Sequence, residues 1–346
     1  MRFNFRIMIK GKIAENVLNR SVFKLIRHRR KDVLKKPTVG TDCALISSGE
    51  EYICINSNPV TVVIEQAELS NKSKEDKLNE ELYLEKYARK SLYYVGNNIA
   101  CQGAEFIGVL VNVILPAYSE EKEIKTIMKT IEDECGKLNI EVLGGHTELL
   151  ESVKEPLLVM VGVGKVNKEN ILDVKNVTPG NDIVMTKWAG MEGAAKLAYK
   201  GKEDLLGRYK EELVDGAIKL ADEISVLQEA NIAKENGALY MHDATSSGVY
   251  GALWELSCGI KHGIEVDLQQ IPIKQEIVEV CEFYDVNPYL LSTRGVLLIV
   301  VEDGIKLVEE LNKVGIDANI IGKVCEHNNK IVHNQDEMRY LDPPKA

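Results

Sequence analysis

The chain has 346 residues, of which 45% are apolar and 28% charged, as is typical of a globular protein with two domains. Its net charge of −10 argues against non-specific binding to nucleic acid or to an anionic membrane. The seven cysteines have no paired spacing, which predicts buried free thiols in a reducing cytoplasm. Charges interrupt the N-terminal segment, and no apolar run approaches about 18 residues, so neither a signal peptide nor a transmembrane helix is expected.

Hydrophobic periodicity predicts helices and strands in both halves of the chain, and therefore an α+β fold. A polar segment that closes on Pro179-Gly180 predicts a boundary within residues 167–182, with domains at 1–170 and 178–346. The first half is predicted to contain, in order, a helix over 12–36, a hairpin of strands 43–47 and 52–57, an irregular stretch over 66–78, a helix over 79–101, a strand over 106–115, a helix over 120–138, and strands over 140–144 and 157–166.

The second half alternates in the same way and is predicted to begin with a strand over 183–187. Gly190 and Gly193 should lead a short helix after that strand. The later elements are a long helix over 214–236, a strand over 237–241, a helix from Val249, a strand over 264–268, a helix over 276–283, a strand over 296–301, a helix over 304–314 and a strand over 318–323.

Short oxygen-bearing side chains fill the turn between the strand at 237–241 and the helix that follows it. They include Asp243, Thr245 and the pair Ser246-Ser247. One interpretation is that Asp243 and Thr245 only cap the helix. The other is that the helix N-terminus binds a phosphate, with Asp243 holding its magnesium ion. The turn alone leaves both open.

Six short motifs occur in a fixed order along the chain. They are G-T-D-C-A-L at 40–45, S-N-P-V-T at 57–61, G-N-N-I-A-C-Q-G-A at 96–104, G-G-H-T-E at 144–148, P-G-N-D at 179–182 and M-H-D-A-T-S-S-G at 241–248. Together they resemble the AIR-synthase superfamily, which includes aminoimidazole ribonucleotide synthase, the hydrogenase-maturation carbamoyl dehydratase, thiamin-monophosphate kinase and selenophosphate synthetase. The resemblance covers nearly the whole chain and is closest to the hydrogenase-maturation-like branch.

This resemblance implies a particular arrangement of two domains. The N-terminal sheet would pair with its copy in a second subunit and close a barrel across a homodimer. The C-terminal domain would be a ferredoxin-like α/β layer. ATP and Mg²⁺ would lie in a cleft between the domains, next to a small-molecule acceptor.

The resemblance also implies roles for individual residues. Asp42 and Asp243 would be magnesium ligands, since this hard cation prefers oxygen ligands. Gly145, His146 and Thr147 would line the phosphate and nucleoside cleft. The remaining nucleotide-binding residues would be Asn58, Asn97, Asn98 and Thr245.

The chain departs from the superfamily pattern at several of these positions. Asn58 and Asn98 stand where the superfamily has aspartate, so they offer an oxygen without a charge. The pair Ser246-Ser247 replaces a glycine-rich turn and hinders close approach to phosphate. Arg294 is an added charge that could enter the cleft. No cysteine follows Cys325, whereas the carbamoyl dehydratase uses a terminal cysteine as its carrier.

Three functions are consistent with this pattern. No P-loop and no strand-linked G-x-G-x-x-G is present, so ATP would be bound in the superfamily's way, through magnesium. The first function is an ATP-dependent phosphoryl-transfer or amide-activating enzyme with an unknown acceptor. The second is a lapsed member that binds nucleotide without turnover. The third is an interaction protein in metallo-enzyme maturation.

Overall fold

The computed structural model describes residues 13, 15–34, 36–38, 40–61 and 74–344, and these form two compact units. The first unit spans Asp42–Ile171. The second unit spans Leu172–Ala346, and the described part of the chain up to Thr41 belongs to it as well. The predicted boundary places that N-terminal segment in the first domain instead. One contact of the segment within the second unit is a hydrogen bond from Trp254 to Glu15 (3.3 Å), in helix α1 (Glu15–Ser21).

The first unit is a five-stranded sheet covered by two helices. The strand order is β1-β2-β5-β3-β4, with β3 and β4 parallel and all other neighbours antiparallel. Its elements are β1 (Ala44–Ser48), β2 (Glu51–Thr61), α2 (Lys74–Ala100), β3 (Glu105–Pro116), α3 (Glu121–Leu138), β4 (Glu141–Leu150) and β5 (Leu157–Asn167).

Helices α2 and α3 form the core of this unit by packing their apolar stripes on the sheet. The stripe predicted along α2, from Leu84 to Ile99, is buried at every position. Helix α3 begins at a capping box between Glu120 and Glu123 and ends at Asn139, which has a left-handed backbone. Local sequence signals therefore determine where α3 begins and ends.

The second unit is built on a seven-stranded sheet of order β12-β11-β8-β10-β6-β9-β7. Only β8 and β11 are parallel neighbours in this sheet. Its elements after α1 are β6 (Asp182–Thr186), α4 (Met191–Lys200), α5 (Lys202–Leu206), α6 (Glu211–Lys219), α7 (Leu227–Glu235), β7 (Tyr240–Asp243), α8 (Gly248–Ile260), β8 (Gly263–Asp267), α9 (Gln275–Phe283), β9 (Leu297–Val301), α10 (Gly304–Lys313), β10 (Ala318–Cys325), β11 (Lys330–Asn334) and β12 (Glu337–Tyr340).

The core of the second unit lies around strands β6 and β9, which are buried at every position. Burial on both faces explains why β9 is continuously apolar and why β6 is apolar between Asp182 and Thr186 rather than alternating. The two α+β units predicted from the sequence are confirmed. The dimer barrel and the ferredoxin-like layer remain predictions.

Two long predicted helices are wrong in extent. Helix α1 ends at Ser21 and a 3-10 turn follows at Phe23–Leu25, because no buried side chain anchors the basic segment beyond it. The helix predicted over 214–236 is divided into α6 and α7. The break occurs where the Ser225 carbonyl accepts a hydrogen bond from Lys187, and the Ser225 hydroxyl accepts one from the Leu227 N–H (3.2 Å).

One predicted segment lies partly outside the described residues, and one hairpin in the structure was not predicted. Of the stretch expected to be irregular, residues 66–73 lie outside the described residues and residues 74–78 belong to α2. The hairpin of β11 and β12 was not predicted. Its turn contains Gln335 at φ 55° rather than Asn-Gly or Asp-Gly, the strongest hairpin signals.

The cysteines follow the prediction closely. Five are buried and none is in a disulfide, whereas Cys258 and Cys325 are half-buried. Within the described ranges, no helix is both long enough and apolar enough to cross a bilayer.

Candidate functional site

The turn between β7 and α8 presents the predicted ligand Asp243 at the carboxyl end of a strand. Asp243 is the last residue of β7 and is 3% exposed. The next residue, Ala244, donates its backbone N–H to the Val296 carbonyl (2.9 Å), which fixes the turn against the start of β9. A carboxylate buried at this depth requires a charged or hydrogen-bonding partner.

The structure does not support the interpretation that Asp243 and Thr245 cap helix α8. The N-cap position is occupied by Ser247, and no side chain makes a capping hydrogen bond there. Thr245 instead uses its backbone carbonyl, which accepts a hydrogen bond from the Thr293 N–H (3.1 Å). The N-terminus of α8 therefore has backbone N–H groups without a side-chain cap and the positive end of the helix dipole, which together favour an anion.

His242 connects the strand to the helix that follows the turn. Its Nε2 lies 3.2 Å from Oε2 of Glu255, and both side chains are buried. His242 therefore orients this segment through a hydrogen bond. The contact ties β7 to the middle of α8 and so holds the turn that carries Asp243.

A second polar group in the same unit joins the start of α4 to the segment before β9. The buried carboxylate of Glu192 accepts a hydrogen bond from the Ser292 hydroxyl and pairs with Lys196 (2.8 Å). Arg294 reaches the same carboxylate with its Nε at 3.9 Å. Glu192 was missed as a functional candidate because its partners are about a hundred positions away in the sequence, apart from Lys196 one helical turn on.

In the first unit, Asn56 holds two predicted site residues in place. Its amide donates to the backbone carbonyl of Asp42, and its Oδ1 accepts from the Asn98 amide (3.3 Å). The Asn98 amide also donates to the Tyr94 carbonyl (3.0 Å). Asn98 and its neighbour Asn97 are buried in the last turn of α2, as expected. Asn56 was not singled out from the sequence, since its role depends on contacts from distant segments.

Asn58 lies two residues farther along β2, half-buried on the same side of the strand as Asn56. The sequence placed it in the same nucleotide-binding group as Asp42. The structure therefore brings Asp42, Asn56 and Asn98 into one hydrogen-bonded group, with Asn58 beside it.

The turn predicted at Gly144-Gly145-His146-Thr147-Glu148 is wrong, because these residues lie inside strand β4. Parallel pairing with β3 extends the strand through both glycines. A Cβ on Gly145 would lie 1.8 Å from the Val111 carbonyl oxygen, so only glycine fits here. Register places Asn58, Met160, Val111 and Gly145 in one row across the sheet, so Gly145 is three strands, or about 14 Å, from Asn58.

His146 and Thr147 are exposed on β4, at the edge of the sheet. The His146 Nε2 lies 3.1 Å from Oε2 of Glu148, two positions along the same strand face. His146 therefore makes the expected hydrogen bond, although it is on a strand rather than in a loop. Within the first unit, these residues are not close to the Asp42 group.

The donor atoms in each unit suit magnesium. The turn after β7 offers the Asp243 carboxylate and the Thr245 hydroxyl, and the first unit offers the Asp42 carboxylate and the Asn58 amide oxygen. These are oxygen ligands of the kind that Mg²⁺ binds. The residues present therefore fit the cation that the sequence resemblance implied.

Comparison with protein families identifies the class. The family described as AIR synthase related protein, N-terminal domain, matches residues 40–166, and the corresponding C-terminal domain family matches residues 178–334. The chain therefore belongs to the AIR synthase superfamily of two-domain α+β proteins. Within that superfamily it belongs to the HypE-like branch.

Individual relatives agree with this assignment. A putative hydrogenase expression/formation protein of Methanocaldococcus jannaschii is 24% identical over 253 residues, which are 72% of this chain and 73% of the relative. AaThiL, solved with AMPPCP and TMP, is similar at a TM-score of 0.70 and 17% identity, over 96% of both chains. Hydrogenase maturation protein HypE, solved with ATP, is similar at a TM-score of 0.67 and 12% identity, over 98% of this chain and 97% of HypE.

Proposed function

We propose that this chain binds ATP with magnesium and transfers the γ-phosphoryl group to an oxygen of a small acceptor. Asp243 and Asp42 are the proposed magnesium ligands, and Asn58, Asn97, Asn98, Gly145, His146, Thr147 and Thr245 the proposed nucleotide-binding residues. The observation that carries the proposal is the buried Asp243 carboxylate just before the uncapped N-terminus of α8. The ATP and AMPPCP complexes of its structural relatives support the choice of nucleotide.

The chain's own residues perform separate tasks in this proposal. The N–H groups at the start of α8 bind a phosphate oxygen through the positive end of the helix dipole. The His242–Glu255 contact keeps that end in position. Magnesium, when bound, neutralises charge on the phosphates. Phosphorylation of an amide or carboxamide oxygen would convert a poor leaving group into a good one.

ATP turnover tests the enzymatic part of the proposal. Purified full-length protein is incubated with magnesium, ATP and a panel of carboxamide, carboxylate and phosphate acceptors, and ADP release is measured. We expect release that depends on one acceptor class. Tight ATP binding with no ADP release for any acceptor would instead identify a lapsed family member.

The two asparagines at superfamily aspartate positions should respond differently to replacement by aspartate. Asn58 is half-buried, so Asn58→Asp should tighten magnesium-dependent ATP binding at little cost in stability. Asn98→Asp cannot donate to Tyr94 and Asn56, and should lower the free energy of unfolding by about 1–3 kcal/mol. Calorimetric ATP titrations and chemical denaturation of both single variants measure this.

If Asn58→Asp gains no affinity at any magnesium concentration, Asn58 does not belong to the nucleotide site. If Asn98→Asp is as stable as the wild type, the hydrogen bonds donated by the Asn98 amide group contribute nothing to the free energy of unfolding.

We also propose that the chain forms a homodimer through the first unit's sheet. The predicted strands over 43–47, 52–57 and 106–115 are apolar, and apolar strands disfavour an open sheet edge. In the structure, however, β2 and β3 are interior and the edges of the sheet are β1 and β4. Strand β4 has eight of its ten residues exposed, which is unusual for a long edge strand.

Light scattering at micromolar concentration should give the mass of a dimer. Leu143 and Leu149 are 48% and 46% exposed on β4, so Leu143→Lys with Leu149→Lys should give a monomer. Leu206→Lys changes an exposed leucine in the second unit and should leave the dimer intact. A monomeric wild type would contradict the proposed dimer.

A further inference from the structure

Three side chains capable of binding a transition metal meet on one face of the second unit's sheet. Ligand atoms of Glu265, Cys325 and His327 all lie within 4.8 Å of one another. His333 lies beside this group, with its Nε2 3.3 Å from Oε2 of Glu265. The His327 Nε2 lies 2.9 Å from the other carboxylate oxygen, Oε1. None of these residues belongs to the proposed nucleotide site.

Sheet register explains why these residues come together. Glu265 lies in β8 between two buried residues, Ile264 and Val266, so its side chain points away from the core. Neighbouring strand β10 pairs Cys325 with Gly263, on the same face as Glu265. On the other side of β8, His333 of strand β11 is in register with Asp267, again on that face.

His327 enters from the turn after β10. A Cβ on residue 263 would lie 2.0 Å from the His327 carbonyl oxygen and 2.7 Å from its Nδ1, so the absence of a side chain at Gly263 lets the turn close over β8. The His327 Nδ1 is buried and has no hydrogen-bond partner among the described residues. Because Nδ1 faces Gly263, Nε2 is the ring nitrogen that faces the Glu265 carboxylate and would bind a metal.

The geometry points to a zinc-binding site formed by Glu265, Cys325 and His327, with His333 holding the Glu265 carboxylate in position. Thiolate, imidazole and carboxylate are the ligands zinc prefers, and three of them leave the fourth position of a tetrahedral ion open. Ligand atoms on tetrahedral zinc lie about 3.3–3.6 Å apart, so the His327 Nε2 and the Glu265 Oε1, which are 2.9 Å apart, need to separate only slightly to bind one ion. One thiolate and one carboxylate balance the charge of Zn²⁺.

The nearest lysine on the same face does not compete for these ligands. Lys323 is in register with Glu265, but its ammonium group pairs with Asp182 at 2.7 Å. Asp182 also accepts the backbone N–H of Gly304 (3.1 Å), which holds it at that position. A zinc ion would connect β8 to β10 and to the turn after β10 at one end of the sheet.

Metal titration of the full-length protein tests the site. Protein stripped with chelator is titrated with Zn²⁺ against a chromophoric indicator, and then with Co²⁺ while its absorption spectrum is recorded. We expect one zinc per chain, a higher melting temperature with zinc, and a near-ultraviolet cobalt–thiolate band. Cys325→Ser should abolish the band and weaken zinc binding at least about tenfold. His333→Asn should also weaken zinc binding at least about tenfold.

Cys258→Ser is the matched control, because Cys258 is the other half-buried cysteine and lies on α8. It should leave zinc affinity and the cobalt band unchanged. A wild type that binds no zinc, or a cobalt complex without the thiolate band, would overturn the site even if the variants fold poorly. Neither result depends on ATP binding, so the zinc site can be disproved without disproving the proposed function, and the reverse also holds.

Discussion

Lys187→Met should lower the free energy of unfolding by about 3–5 kcal/mol, because it leaves a buried carboxylate without its cation. Lys187 is 7% exposed and Glu229 is 2% exposed, with Nζ and Oε1 2.5 Å apart. The same ammonium group donates to the carbonyls of Ser225 and Gly295. Chemical denaturation of the purified variant measures the loss.

The matched control is Lys202→Met, since Lys202 pairs with Asp215 at the same kind of distance (2.7 Å) but with both side chains about 40% exposed. Exposed pairs contribute about 1 kcal/mol or less, so this variant should be nearly as stable as the wild type. Lys187→Met combined with Glu229→Leu should recover part of the loss, because no carboxylate stays buried. Equal losses from Lys187→Met and Lys202→Met would show that the buried pair has no special role.

Asp243→Asn should reduce magnesium-dependent ATP affinity by at least about tenfold while changing stability little. The substitution keeps the shape of the side chain and removes the charge that a hard cation requires. The weakening should be smaller when ATP is titrated in chelator, because the lost interaction is with the metal. Calorimetric titrations of both proteins with ATP, in chelator and at several magnesium concentrations, measure the two affinities.

Asp303→Ala is the contrasting variant. The Asp303 side chain caps α10 by accepting the Lys306 N–H (3.0 Å). Its loss should cost about 1 kcal/mol of stability and leave ATP affinity unchanged, the opposite of the result expected for Asp243→Asn. If Asp243→Asn behaves like Asp303→Ala, the carboxylate of Asp243 has a structural role only.

Elements with strong local periodicity could be predicted from the sequence. The apolar stripe along α2 is a local signal, and the structure buries every position of it. The break between α6 and α7 could not be predicted, because it depends on a hydrogen bond from Lys187, 38 positions earlier. Strand β4 continues through two glycines because parallel pairing with β3 overrides their usual preference for turns.

The candidate site shows the same division between local and distant contacts. Asp243 was recognised because a strand-to-helix turn has a local signature, and the structure places it there. Asn56 could not be recognised, since its partners Asp42 and Asn98 are 14 and 42 positions away. From the sequence, Asn98 differs from the superfamily's aspartate only in lacking a charge. The structure shows that its amide group donates hydrogen bonds to Asn56 and Tyr94, which an aspartate could not do.

The central claim is that this chain binds ATP through magnesium, and direct calorimetric titration of the full-length wild type tests it. We predict saturable ATP binding in magnesium and much weaker binding in chelator. AMP should bind more weakly than ATP, because it lacks the two phosphates whose charge magnesium would neutralise. No ATP binding at millimolar nucleotide and magnesium, or equal affinity with and without the metal, would contradict the claim.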